Sequence, residues 1–251
     1  MQSFRCLLAA LGSLLLMGSV PANRHPLVSP HPPASRHPLT IRFRNEVGTL
    51  PLHLNTALYT NPSGEPFTVE QFKYYISGIR VRSREGEELV LNEPHLVDQG
   101  DSASLELRLS STLSGIQSIS FSVGVDSLAN VSGVQTGDLD PMMGMFWTWN
   151  SGYIYARLEG ISDSAQTPAH RFTWDIGGYK EGRNAFRTIT LALPQRNEPA
   201  GGNLVCIRAD LLQWFDGRQP IRIAQTPVCH EPGPLAMKIA NNYSTLFSIC
   251  P

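Results

Sequence analysis

From Leu39 onward, apolar residues recur at every second position. Leu50, Leu52 and Leu54 alternate in one segment, and Leu105, Leu107 and Leu109 in another. Ile119, Phe121, Val123 and Val125 continue the pattern, as do Ile189, Leu191 and Leu193, and then Val205, Ile207 and Ala209. A period of two gives each run one apolar and one polar face, as half-buried antiparallel strands require. Turn signals fall between the runs, among them Asn61-Pro62-Ser63-Gly64 and Glu85-Gly86. Helical period is scarce. It is clearest in PLAMKIANNYSTLF, where Leu235, Ile239, Tyr243 and Leu246 share a face behind Pro234. A second, short helix is expected over Thr68 to Phe72, after the Pro66 turn. The span from Asp126 to Met145 has neither period and carries Gly133, Gly137 and Gly144. It reads as a long excursion between strands, a feature compact domains usually keep for function. These patterns predict an all-β, antiparallel, Greek-key-like sandwich with long loops and a short C-terminal helix, built as one domain over residues 39–251.

Two segments precede that domain. Arg5 followed by LLAALGSLLLMGS and then Val20-Pro21-Ala22 has the layout of a signal peptide over residues 1–22. The apolar run is too short to span a bilayer. Residues 23–38 carry His25-Pro26, His31-Pro32 and His37-Pro38 and read as a disordered leader. The mature protein is thus expected to be periplasmic or secreted. It would keep Cys206, Cys229 and Cys250, of which two should pair in an oxidising compartment. Three pairings are open, and Cys229 with Cys250 is favoured because it would staple the C-terminal segment to the body.

Formal net charge is −1, with 20 Lys and Arg against 21 acids, which argues against a polyanion-binding surface. No Gly-x-Ser-x-Gly elbow, phosphate loop, His-Glu-x-x-His or Cys-x-x-Cys occurs. A hydrolase would need a nucleophile and base that these motifs do not supply. Asp138 and Asp140 form a possible carboxylate pair. The domain holds four histidines, His53, His95, His170 and His230. Cu(I) favours imidazole, thioether and thiolate, whereas harder ions want carboxylates. His230 follows Cys229 in the turn PVCHEPGP and is the best-placed ligand. His170 opens HRFTWDIGGY, and His53 sits on the polar side of its run.

The stretch DLDPMMGMFWTWNSGYIYARLEG gathers Met142, Met143 and Met145 beside Trp147 and Trp149. Alternation puts Trp147 and Trp149 on one face and Ile154, Ala156 and Leu158 on the other. Taken alone, a tryptophan pair two apart on a strand is most often packing. Yet the whole block GVDSLANVSGVQTGDLDPMMGMFWTWNSGYIYARLEG resembles the signature of the MbnP-like, methanobactin-associated copper proteins. FTVEQFKYYISGIRV, FTWDIGGYKEGRNAFRTITLAL and LAMKIANNYSTLF extend the resemblance from Leu39 to Phe247.

The resemblance implies an exported, copper-associated β-sandwich without turnover of its own. It also implies a di-haem, peroxidase-like partner of the MbnH type that oxidises a tryptophan to kynurenine. Trp149 and Trp147 are then the candidates for modification, Trp149 favoured by its place at the Asn150-Ser151-Gly152 bend. His230, Trp149, Asp175, Met145 and His170 are the candidate copper residues. Relatives often carry histidine where this chain has Asp175, and a carboxylate is a poorer Cu(I) ligand. The alternative reading is a surface interaction or adhesion sandwich that holds no metal.

Overall fold

A computed structural model describes residues 37–148, 151–194 and 203–251. The signal peptide, nearly all of the leader, and Trp149 lie outside the described residues.

The chain begins with β1 (His37–Val47), β2 (Leu50–Pro51) and β3 (Tyr59–Thr60), then the long β4 (Pro66–Ser83), β5 (Glu88–Leu91) and β6 (His95–Asp98). β7 (Glu106–Ser111) and β8 (Ile116–Val123) lead to α1 (Ser127–Val131), β9 (Phe146–Thr148), β10 (Gly152–Ile161) and β11 (Arg171–Gly177). β12 (Arg187–Ala192), β13 (Asn203–Asp210), α2 (Leu212–Asp216), β14 (Val228–Cys229), α3 (Pro234–Tyr243) and β15 (Phe247–Ile249) complete the order. One sheet runs β15-β13-β1-β2, with β7 also on β1. The other runs β12-β8-β4-β10-β11-β14, with β3, β5 and β6 on β4 and β9 on β10. The architecture is the expected all-β sandwich with a short C-terminal helix. Most pairings are antiparallel, while β1–β13 and β11–β14 are parallel.

The inward positions of β8 and β13 are the ones alternation marks, whereas in the Leu50, Leu52 and Leu54 run only Leu52 is buried and Leu50 is exposed. Ile119, Phe121 and Val123 of β8 and Val205, Ile207 and Ala209 of β13 are all buried. Aromatic edges join the sheets, Tyr74 lying 5.6 Å from Phe247 and 6.2 Å from Phe43. α2 and α3 plug one end: Trp214 stacks on Trp174 at 6.4 Å and meets Tyr243 at 5.8 Å. Among the described residues, no helix is long and apolar enough to cross a membrane.

Two expectations change, and the long excursion between strands gains detail. Thr68–Phe72 is strand, because β4 pairs with β10 along it and buries Val69 and Phe72. Five residues carry too little helical free energy to resist that pairing. The excursion from Asp126 to Met145 is ordered: Asp126 caps α1 through Ala129 N, and turns follow at Gly137–Leu139 and Pro141–Met143. The disulfide joins Cys206 to Cys250, Cα atoms 5.4 Å apart, and leaves Cys229 free and buried. β15 runs antiparallel to β13, so Cys250 N bonds Cys206 O at 2.9 Å and the two side chains meet. The C-terminal segment is stapled to the body as expected, but through Cys206.

Candidate functional site

β10 and β11 set the frame. Their register places Arg157 opposite Asp175, on the face turned away from the sandwich core. Ala156, Leu158, Trp174 and Ile176 occupy the inner face and are buried. Arg157 binds both oxygens of Asp175, Nε to Oδ1 at 2.6 Å and Nη2 to Oδ2 at 3.0 Å. Its Nε also lies 3.2 Å from Glu159 Oε1. Burial alone would lower the Arg157 pKa; the Asp175 bond and the two carboxylate charges outweigh it, and the guanidinium is held above its usual range. Burial pushes Glu159 upward despite Arg157 beside it.

His230, just beyond β14, reaches the same carboxylate. Its Nδ1 is 3.5 Å from Asp175 Oδ2, while the ring remains half-exposed. The parallel pairing of Cys229 with Trp174 delivers it there. The Cys229 thiol itself is buried, and desolvation pushes its pKa up to about 11, so it is a thiol and not a thiolate at neutral pH.

Trp147 completes the cluster from β9. Its indole lies across Gly177, with Cζ3 2.9 Å from where a Cβ on that glycine would stand. Gly177 is two residues beyond Asp175 and shares its face of β11. Only a glycine there admits the ring. Gly178, at φ +121°, is required for a second reason. A Cβ would meet Arg183 O at 2.2 Å and Pro232 Cβ at 2.8 Å, so this turn is pressed against the His230 loop. Between them opens a cavity of about 250 Å³ lined by Ser151, Tyr179, Lys180, Arg183, Glu231 and Pro232.

The long connection passes over the outer face. Tyr75 and Tyr153 donate their hydroxyls to the carbonyls of Asp138 and Leu139, each at 2.7 Å. A Cβ on Gly144 would lie 4.0 Å from Arg157 Nη1. Met145 is fully buried beneath this cover, whereas Met142 is 89% exposed.

The structure therefore sets His230 against Asp175 and lays Trp147 on Gly177, two residues further along β11, and separates the other candidates. His170 sits before the opposite end of β11, its Nδ1 3.1 Å from Ala165 O. At about 3.3 Å per strand residue it is roughly 16 Å from Asp175. Met145 is a packing residue, since a thioether with no exposure offers no open ligand. Asp138 and Asp140 diverge: Asp138 binds His95, and Asp140 caps the next turn through Met142 N. Arg157 and Glu159 escaped the sequence reading. Their outward places in YIYARLEG were legible, but the partner of Arg157 depended on register.

Among the described residues, no group of three or more His, Cys, Asp or Glu could hold a metal ion. Asp175 is committed to Arg157. His230 is the donor in this cluster that can turn a free nitrogen outward, its Nδ1 facing the carboxylate.

A family model described as MbnP matches residues 36–231. Among solved structures, MbnP from Methylosinus trichosporium is similar with a TM-score of 0.57 and 13% identity, over 86% of this chain and 98% of that one. At that identity the likeness is one of fold. No curated protein matches.

Proposed function

From the premise that the chain belongs to the MbnP family, we propose that it is an exported copper-handling protein and the substrate of a di-haem, peroxidase-like partner of the MbnH type. The observation that carries this reading is the contact of His230 with Asp175, with Trp147 packed on Gly177 two residues along the same strand. His230 would hold copper through Nε2. Asp175 stands behind the ring, fixed by Arg157, as an orienting carboxylate. Copper supplies a one-electron couple when bound. Trp147 is half-buried at the surface, where a haem docked outside the protein can withdraw electrons from its indole without touching it. Trp149 is its rival for oxidation to kynurenine. The chain itself turns nothing over.

Two measurements test the reading. Mass spectrometry of the protein co-expressed with its partner should find kynurenine at Trp147 or Trp149, and two intact indoles would refute the oxidation. Copper titration should show His230→Ala binding at least ten-fold more weakly than wild type, and equal affinity would remove His230 from the site.

A second reading is favoured by the exposed Leu128, Val131, Val134 and Met142 on the long connection, which suit an interaction surface without metal. Protein that purifies free of copper and takes up none on titration would select it.

A further inference from the structure

We propose that His95 is a protonated latch that holds the connection from Asp126 to Met145 against the sheet and releases it as pH rises. Each of its two ring nitrogens faces an oxygen. Nδ1 is 3.1 Å from Asp138 Oδ2, and Nε2 is 2.8 Å from the Ser104 carbonyl oxygen. Both partners only accept hydrogen bonds when the carboxylate is ionised. Either neutral tautomer would set a ring lone pair against an oxygen lone pair. The imidazolium alone satisfies both contacts.

The rest of the surroundings agrees. Asp138 Oδ2 also accepts from Leu96 N at 2.8 Å, so one carboxylate oxygen ties the connection to β6 twice. Phe43 of β1 stacks on the ring at 6.2 Å. The other charged groups nearby are already matched. Asp98 pairs with Lys73 at 2.8 Å, Glu106 with Arg42 and Arg108, and Asp101 caps Ala103 N. Tyr75, beside Asp138, is held by burial far above its ordinary range and stays neutral. Burial pushes the Tyr153 phenol upward too.

The directions of titration follow. Burial alone would lower the His95 pKa; its bonds to Asp138 and Ser104 and the Asp138 charge outweigh this, and it is raised above 6.5. Its contribution is complete below the unfolded-state value and is lost as pH rises through the folded one. Asp138 is lowered below 3.8, chiefly by the bond from His95, so its contribution is lost only as pH falls through that lower value. The latch is closed between those limits and opens on the alkaline side. What it loosens is the attachment of the connection at Asp138, while the Tyr75 and Tyr153 hydroxyls still hold the Asp138 and Leu139 carbonyls.

The test uses the full chain in solution. Ring ¹⁵N shifts of His95, followed from about pH 5 to about pH 9, should report both nitrogens protonated through the ordinary imidazole range near 6.5. Exchange of the Leu96 amide, taken relative to the Ile207 amide in β13, should rise by up to about ten-fold per pH unit between the ordinary imidazole value and the raised His95 value, and level off above it. In His95→Gln that relative rate should be flat. A neutral His95 tautomer below about pH 6, a flat wild-type ratio, or a rise that persists in His95→Gln would each overturn the latch. If His95→Gln fails to fold, the ring titration in wild type still decides.

Discussion

Replacing Arg157 with methionine removes the guanidinium and keeps much of the side-chain volume. Asp175 and Glu159, with side chains 8% and 13% exposed, are then left without their shared cation. Stranding a buried charge costs about 3–5 kcal/mol. The lower end applies here, because His230 still faces Asp175 and Glu159 keeps some solvent. A loss of about 3 kcal/mol lowers the melting temperature by about 6–12 °C in a domain of this size. Arg80→Met is the internal control: Arg80 pairs with Glu88 at 55% and 31% exposure, and such a pair contributes under about 1 kcal/mol. Removing both partners, as Arg157→Met with Asp175→Leu, should restore at least about half of the loss, since replacing an ion pair by apolar groups is often neutral. Urea unfolding followed by circular dichroism closes the double-mutant cycle, with an expected coupling of about 1.5–3 kcal/mol. A cost for Arg157→Met no larger than that of Arg80→Met, with no coupling to Asp175, would refute the claim that this pair frames the end of β11.

Other consequences are open to equally direct measurement. Closing a loop of 44 residues, the Cys206–Cys250 bridge should contribute about 4 kcal/mol, read as the loss in the Cys206→Ser, Cys250→Ser double variant. The Cys229 thiol should resist alkylation near neutral pH in the folded protein and react fully in denaturant; rapid native labelling would contradict its burial and raised pKa. Gly177→Ala should destabilise by about 1–3 kcal/mol and shift tryptophan emission, because the added methyl meets Tyr153 O at 2.4 Å and the Trp147 ring at 2.9 Å. Under dilute peroxide, Met142 should form sulfoxide well before Met145, one being exposed and the other buried; equal rates would show that the long connection does not cover Met145.

Period two is written in neighbouring residues, so the sandwich and most of its inward positions follow from the sequence. The C-terminal helix follows in the same way: Ile239 and Tyr243 are buried on one face of α3, behind Pro234. The block around Trp147, with its flanking segments, was enough to identify the family, and the turn holding His230 stood out by chemistry. What partners each residue finds was not written locally. Thr68 to Phe72 is too short for its own period to outweigh pairing with β10. Cysteine pairing waited on β15 lying beside β13, which set Cys250 on Cys206 and left Cys229 behind. Asp175 looked like a ligand until β10 placed Arg157 across from it. His170 looked like its companion until the length of β11 separated them. Alternation is a property of adjacent positions, whereas salt bridges, disulfides and sites are made by register between strands distant in the chain, and only the folded sheet fixes that register.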